Sequence, residues 1–224
     1  MHKINFIVSN ILRFTFLFIF SIILFGCKQI PQNINIIPKP IIFNEQRIAL
    51  TQQYRYDHYG IKSKSIVIQP RMIVLHWTDS KNFKCSYANF YPASLHERPD
   101  IKHGGNLNVS VHFLVDRDGK IYQLMPTNWM ARHTIGLNNI AIGIENVGGE
   151  ANRDDLTMAQ VNSNASLIKF LKMQYPNIKY VIGHYEYGKF RHTSLWQEKD
   201  THYFTYKDDP GKTFMRLVRE TIKK

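Results

Sequence analysis

Three short apolar runs in this chain each end on a polar side chain with useful chemistry. Residues 71–76 end on His76, residues 140–145 end on Glu145, and residues 179–184 end on His184. Continuous apolar runs of this length are typical of strands that are buried on both faces of a sheet. The sequence therefore predicts a sheet that delivers two imidazoles and one carboxylate to the same edge.

Local patterns predict the elements around that sheet. A capping-box sequence begins at Thr157, and apolar residues recur at spacings of three and four through residues 158–171, which predicts a helix with one apolar face. A second helix is expected after Pro210. Residues 109–115 and 120–124 flank a short polar link that ends in glycine, which indicates a hairpin. The predicted class is α/β, with a mixed central sheet flanked by helices.

A carboxylate near the end of the chain adds a third candidate ligand. Asp209 lies in the sequence Lys-Asp-Asp-Pro-Gly at residues 207–211. Zinc binds histidine nitrogen and carboxylate oxygen, and a catalytic zinc keeps three protein ligands and one open position. His76, His184 and Asp209 therefore predict a zinc site at the sheet edge, although the neighbouring Asp208 could compete for the third place.

Several segments, taken in order, carry a resemblance to a known family. These segments are residues 73–78, 110–124, 131–133, 142–145, 183–184 and 207–211. With them the chain resembles zinc-dependent N-acetylmuramoyl-L-alanine amidases of the second type, which are related to phage amidases and animal peptidoglycan recognition proteins. The resemblance covers roughly residues 70 to 220.

The resemblance implies roles for individual residues. His76, His184 and Asp209 would hold zinc, Glu145 would be the catalytic acid and base, and Lys207 would stabilise the oxyanion. The phage-type branch has a tyrosine and a cysteine where this chain has Val111 and Asp209, so the chain follows the branch that uses a glutamate and an aspartate. Two alternatives stay open. Glu145 could instead form a salt bridge with a lysine across the sheet, and Lys207 could be a solvated charge without a role in catalysis.

Two further residues are candidates for binding substrate. His133 could line the substrate cleft or cap a loop. Residues 185–206 form a long segment rich in aromatic residues between two predicted ligands, so we expect a loop over the site with Trp196 as a wall of the groove. The alternative is a surface loop that packs on itself.

The amino-terminal part of the chain predicts export. Residues 1–26 contain basic and no acidic residues and an apolar stretch too short to span a bilayer comfortably, which favours a signal peptide over a retained membrane anchor. Cys27 completes a sequence that resembles a lipobox, so it is the predicted lipidation site. Residues 27–48, with three prolines, are predicted to be a tether. Residues 49–224 would form the amidase domain, with residues 49–68 as irregular structure or an edge strand.

Charge and cysteine usage indicate compartment and partners. The formal net charge of +12 suits anionic polymers such as the cell wall or a lipid surface. No nucleic-acid recognition motif is present. With Cys27 lipidated, Cys85 has no partner for an intramolecular disulfide. We expect a monomer in the cell envelope that binds peptidoglycan or its muropeptides. Lys28, next to the lipidated cysteine, favours the outer membrane over the inner one.

Three functions from different classes fit these patterns. The first is zinc-dependent hydrolysis of the amide bond between N-acetylmuramic acid and L-alanine, for wall turnover or recycling. The second is a peptidoglycan-binding module that does not cut. The third is a zinc peptidase that cuts within the stem peptide.

Overall fold

A six-stranded mixed sheet lies at the centre of the computed structural model, which describes residues 34–96 and 98–223. The strands occur in the spatial order β1-β4-β3-β5-β2-β6, and only β3 and β4 are antiparallel neighbours. Their bounds are β1 Ile36–Pro38, β2 Met72–Trp77, β3 Phe113–Val115, β4 Ile121–Gln123, β5 Ala141–Asn146 and β6 Tyr180–Gly183. The predicted mixed sheet is confirmed.

The register of the adjacent strands β5, β2 and β6 brings the predicted reactive residues to one edge. Strand β2 lies between β5 and β6 and is parallel to both. His76 on β2 pairs with Glu145 on β5, so their side chains are on the same face of the sheet. Strand β6 ends at Gly183, and His184 follows at once. The predicted meeting of three strand ends is therefore confirmed.

Among the described residues, four α-helices cover the two faces of the sheet. They are α1 Glu45–Tyr59, α2 Phe83–Phe90, α3 Met158–Gln174 and α4 Lys212–Lys223. Ile73 and Leu75 of β2 face a core that contains Leu171 of α3 and Val218 of α4. The alternating residues of β2 face the other core, to which Tyr54 of α1 contributes. This alternation explains why the central strand is apolar throughout.

The helix predicted after Thr157 is confirmed, and it begins at Met158, directly after its N-cap residue Thr157. The Thr157 hydroxyl accepts from the backbone N–H of Gln160, and the Gln160 side chain accepts from the backbone N–H of Thr157. The helix buries Val161 and Leu171, but Met158 remains 55% exposed. The apolar face therefore starts one turn later than the spacing predicts, because the first turn extends past the edge of the core.

The tether predicted for residues 27–48 is wrong from residue 34 onward. Strand β1 pairs with β4 in parallel, with Ile36 opposite Ile121. Ile41 is buried, and Asn44 caps helix α1 by accepting from the backbone N–H of Arg47. Pro38 ends this short edge strand and Pro40 follows it closely, and at such positions the missing N–H is tolerated. Residues 34–48 are therefore part of the domain.

The irregular structure or edge strand predicted for residues 49–68 is wrong for residues 49–59, which belong to helix α1. Residues 60–68 are irregular apart from an isolated antiparallel bridge between Val67 and Trp129, so the prediction is confirmed for them. Gly60 ends the helix in a left-handed conformation with φ of 67°. The buried face of α1 is made of polar and aromatic side chains such as Arg47, Tyr54 and His58. Arg47 is buried because its guanidinium donates to main-chain carbonyls, including that of Phe90. Such a face gives almost no apolar periodicity.

The signal peptide, Cys27 and the first part of the tether lie outside the described residues. Within the described part of the chain, no helix is both long and apolar enough to cross a membrane. Cys85 lies on α2 and is exposed as a free thiol.

Candidate metal centre and active site

Three chain segments bring His76, His184 and Asp209 together. His76 is near the end of β2, and His184 begins a short 3-10 helix directly after β6. Asp209 is distant in sequence, but the backbone N–H of Tyr185 donates to the Asp209 carbonyl at 2.9 Å. This main-chain bond holds the Asp209 turn against the first turn after β6, so the carboxylate reaches both imidazoles.

The facing atoms of these residues form a nearly equilateral triangle. The His76 Nδ1 atom lies 3.0 Å from His184 Nδ1, and Asp209 Oδ2 lies 3.1 Å from each of these nitrogens. Burial is the main cause that lowers the pKa of His76 to about 4, and the charge of the neighbouring His184 is the second cause. His76 is therefore neutral at pH 7. Burial alone would raise the pKa of Asp209, but the two histidines outweigh burial and lower it.

This arrangement fits a zinc ion. Neighbouring ligand atoms around a tetrahedral zinc with bonds of about 2.0–2.1 Å are about 3.3 Å apart. The edges of the triangle, 3.0 to 3.1 Å, are close to that value. Two imidazole nitrogens and one carboxylate oxygen are also a typical catalytic donor set. Asp208, the predicted competitor, is not in this group. The three residues can therefore hold a divalent cation.

His133 contacts His76 rather than only lining the cleft. The His76 Nε2 atom lies 3.0 Å from His133 Nδ1, and His133 Nε2 lies 3.4 Å from the Ala141 carbonyl. Burial, followed by the nearby His76, lowers the pKa of His133 well below its ordinary value. A Cβ atom on Gly143 would lie 2.8 Å from the His133 ring, so the glycine makes room for this imidazole.

Glu145 is a buried carboxylate without a partner for one of its oxygens. Its side chain lines the cavity in front of the metal centre, and Oε2 has no hydrogen-bond partner among the described residues. Burial, followed by the negative charge of Asp209, raises the pKa of Glu145 well above its ordinary value, while Arg98 and Lys207 oppose that rise. Among the described residues, no lysine forms an ion pair with Glu145, so the alternative of a salt bridge to a lysine across the sheet is wrong.

Lys207 lies beside the cavity within a small charged cluster. Its Nζ atom is 3.9 Å from Asp100 Oδ2, and its side chain is 21% exposed. Asp100 accepts two hydrogen bonds of 2.9 Å from Arg98. Asp100 therefore contacts two cations that line the same cavity, and Lys207 is held by this contact rather than fully solvated. The roles of Arg98 and Asp100 were not predicted, because they lie in a polar loop without any recognisable pattern.

A cavity of about 550 Å³ opens in front of the metal centre. His76, His133, Glu145, His184, Lys207 and Asp209 all line it. Arg132, which adjoins His133 in sequence, also lines it and is buried. The Arg132 guanidinium donates to the Ile101 carbonyl and to the Tyr203 hydroxyl. Arg132 therefore connects two walls of the cavity.

Trp196 is not among the residues that line this cavity. Its indole packs against Gly136, where a Cβ atom would lie 2.6 Å from the ring, and its centroid is 5.9 Å from that of Tyr187. The expectation that Trp196 forms a groove wall is therefore wrong. The aromatic residues of this region that do line the cavity are Tyr203 and Tyr206.

The chain matches a known protein family over most of its length. A family model described as N-acetylmuramoyl-L-alanine amidase matches residues 67–212, which contain every candidate metal and catalytic residue. The chain belongs to this amidase family. The enzyme is accordingly an N-acetylmuramoyl-L-alanine amidase. A search among curated proteins gave no match.

The fold of this amidase is found in a solved structure. The chain is similar to the N-acetylmuramoyl-L-alanine amidase LysC from Clostridium intestinale, with 21% identity, a TM-score of 0.50, and coverage of 84% of this chain and 97% of that one. It is also similar to AmpD, with 21% identity and a TM-score of 0.49 over 84% and 94% of the two chains. A bumblebee peptidoglycan recognition protein, PGRP-SA, matches at 19% identity and a TM-score of 0.49, over 83% and 93%.

Proposed function

We propose that this amidase is zinc-dependent and hydrolyses the amide bond between N-acetylmuramic acid and L-alanine during cell-wall turnover or recycling. The observation that carries the proposal is the convergence of two imidazole nitrogens and one carboxylate oxygen within 3.1 Å of one another at the wall of a large cavity. A bound zinc ion would supply a Lewis acid that lowers the pKa of water and polarises a carbonyl.

Glu145 is the proposed general base and acid. It takes a proton from the attacking water and delivers it to the nitrogen of the leaving amine, so that the stem peptide departs with a neutral amino group. The burial of Glu145 and its unpaired Oε2 support this role, because a carboxylate that exchanges protons must keep a free oxygen. The raised pKa brings its proton affinity closer to that needed near neutral pH.

Lys207 is the proposed stabiliser of the oxyanion that forms from the scissile carbonyl. Its ammonium group lines the cavity two residues from Asp209 and has one carboxylate neighbour at 3.9 Å. That contact is long enough to leave donors available for a substrate oxygen. His133 is the proposed positioning residue for His76, because a hydrogen bond at the far nitrogen fixes which nitrogen of a ligand histidine faces the metal.

The proposed site of action is the cell envelope. Lipidation at Cys27 would anchor a monomeric enzyme to a membrane, with the outer membrane favoured by Lys28, and the domain would act on peptidoglycan or muropeptides from there. Replacing Cys27 with alanine should abolish incorporation of labelled palmitate and release the protein from the membrane fraction. Continued labelling of this variant would refute lipidation at Cys27.

Digestion of purified peptidoglycan tests the proposed chemistry. The full chain is incubated with the polymer, with and without a chelator, and the products are identified by mass spectrometry. Release of intact stem peptides that stops on chelation and returns with zinc supports the proposal. A cut inside the peptide would favour the zinc peptidase, and the absence of any product would favour a binding module.

A further inference from the structure

An exposed aromatic ring lies at the mouth of the cavity, next to the catalytic machinery. Tyr206 lines the cavity, directly precedes Lys207 and is 93% exposed. The other exposed tyrosines that the structure describes are at most 47% exposed. Exposing so much aromatic surface to water is unfavourable. A ligand that packs against this ring would bury the surface and gain binding free energy.

Residues 203–205, which precede Tyr206, make stacking and hydrogen-bond contacts with the rest of the domain. The Phe204 ring stacks on Tyr187, with centroids 5.0 Å apart and an angle of 16° between the planes. The backbone N–H of Thr205 donates to the Tyr187 hydroxyl at 3.1 Å. The Tyr203 hydroxyl accepts from Arg132 at 2.8 Å. Three consecutive residues are thus tied to the domain, so the backbone presents Tyr206 in a defined place.

The ring of Tyr206 itself is left open. Its one aromatic neighbour among the described residues is Phe204, whose centroid is 5.2 Å away at an angle of 89°. This edge-to-face contact orients the ring but covers little of it, as the exposure of 93% confirms. An oriented and uncovered aromatic face suits a flat apolar partner such as the C–H face of a sugar ring.

The shape of the cavity indicates which part of the substrate meets this ring, if the proposed function holds. A glycan strand is a polymer that continues in both directions, so it cannot enter an enclosed space and must lie across the opening. The inner part of the cavity is lined by buried side chains such as Tyr54, Ile101 and Ile135, which leaves that part for the shorter stem peptide.

We propose that Tyr206 binds the glycan by stacking on the pyranose ring next to the scissile amide bond. This inference rests on the proposed function, since it assumes that a muramoyl peptide is the substrate. It assigns sugar recognition to the segment that ends at Lys207, so that the residue holding the sugar and the residue facing the scissile carbonyl are neighbours in the chain.

The test compares Tyr206→Ala and Tyr206→Phe with the wild type, using the full chain in detergent. Tyr56→Ala is the matched control, because Tyr56 lies on α1, is 47% exposed and does not line the cavity. Three ligands are titrated by calorimetry: the N-acetylglucosamine–N-acetylmuramic acid disaccharide, the free stem peptide, and the complete muropeptide, the last with Glu145→Gln in every protein to prevent cleavage.

Tyr206→Ala should weaken binding of the disaccharide and of the muropeptide by about three- to tenfold and leave the stem peptide unaffected. Tyr206→Phe should retain the affinity, since stacking needs the ring and not the hydroxyl. Unchanged disaccharide binding in Tyr206→Ala, or weakened binding of the stem peptide alone, would overturn the inference. The disaccharide lacks the bond between the lactyl group and L-alanine, so its binding is measured independently of whether the enzyme cleaves a muramoyl amide.

Discussion

The Nε2 atom of His76 lies 3.0 Å from the Nδ1 atom of His133. The other nitrogen of His76 faces His184 and Asp209, so His76 connects the candidate metal centre to a buried imidazole behind it. His133 in turn points its Nε2 atom at the Ala141 carbonyl. A chain of two donated N–H groups accounts for both rings in their neutral form, and it directs the lone pair of His76 Nδ1 towards a metal.

Replacing His133 with alanine should therefore weaken metal binding. Loss of a residue that orients a metal ligand costs about 10- to 100-fold in affinity. The zinc affinity of His133→Ala is measured by competition with a chromophoric chelator. His202→Ala is the control, because its side chain is 96% exposed. Equal zinc affinities in His133→Ala and wild type would show that His133 does not position His76.

Replacing Glu145 with glutamine should reduce amide hydrolysis by about 100- to 10,000-fold, because the variant cannot exchange the required protons. Zinc affinity should stay near that of wild type, since Glu145 is not among the converging ligands. Activity is followed by stem-peptide release and zinc by chelator competition. A variant with more than a tenth of wild-type activity would exclude Glu145 as the proton carrier.

The same substitution should stabilise the metal-free protein at neutral pH. The folded-state pKa of Glu145 is raised, so the group favours folding below its unfolded pKa, and that contribution is lost as pH rises towards the folded pKa. Glutamine stays neutral throughout. In the presence of a chelator, the Tm of Glu145→Gln should be higher than that of wild type at pH 7, and the two Tm values should be equal near pH 4. A lower Tm for the variant at pH 7 would contradict this.

Lys207→Ala should lower kcat by about 100- to 1,000-fold if the ammonium stabilises the oxyanion. Arginine at the same position should restore part of the activity, because it keeps the charge but not the geometry. The control is Lys212→Ala, an exposed lysine outside the cavity. Both alanine variants should bind zinc like wild type. A loss of zinc binding in Lys207→Ala would point to a structural role for this lysine.

Trp196→Ala should affect stability rather than substrate binding. The indole packs in the core around Tyr187, so its removal leaves a cavity and should cost about 3 kcal/mol or somewhat less, given its partial exposure. Thermal melting reports this loss, and KM for muropeptides at a temperature below both melting transitions should be unchanged. A higher KM with an unchanged Tm would show that Trp196 binds substrate and does not stabilise the core.

Much of the fold could be predicted because its patterns are local. The strands around His76 and Glu145 are apolar from end to end, and the helix after Thr157 carries both its cap and its apolar spacing. Helix α1 was not predicted, because its buried face is stabilised by hydrogen bonds from Arg47 and by aromatic packing. Neither gives a periodic pattern of apolar residues. Its cap residue Asn44 and its terminal Gly60 were the available signals.

The sequence by itself determined that His76 and His184 stand at strand ends and that Asp209 lies in the Lys-Asp-Asp-Pro-Gly segment, and therefore which donors the candidate metal centre can use. Only the tertiary structure decided that Trp196 is packed while Tyr206 is open, and that His133 contacts His76. The physical reason is that strand and helix periodicity fix the direction of a side chain relative to its own backbone. Contacts between residues that are far apart in the chain depend on how the elements pack, and packing is a property of the whole domain.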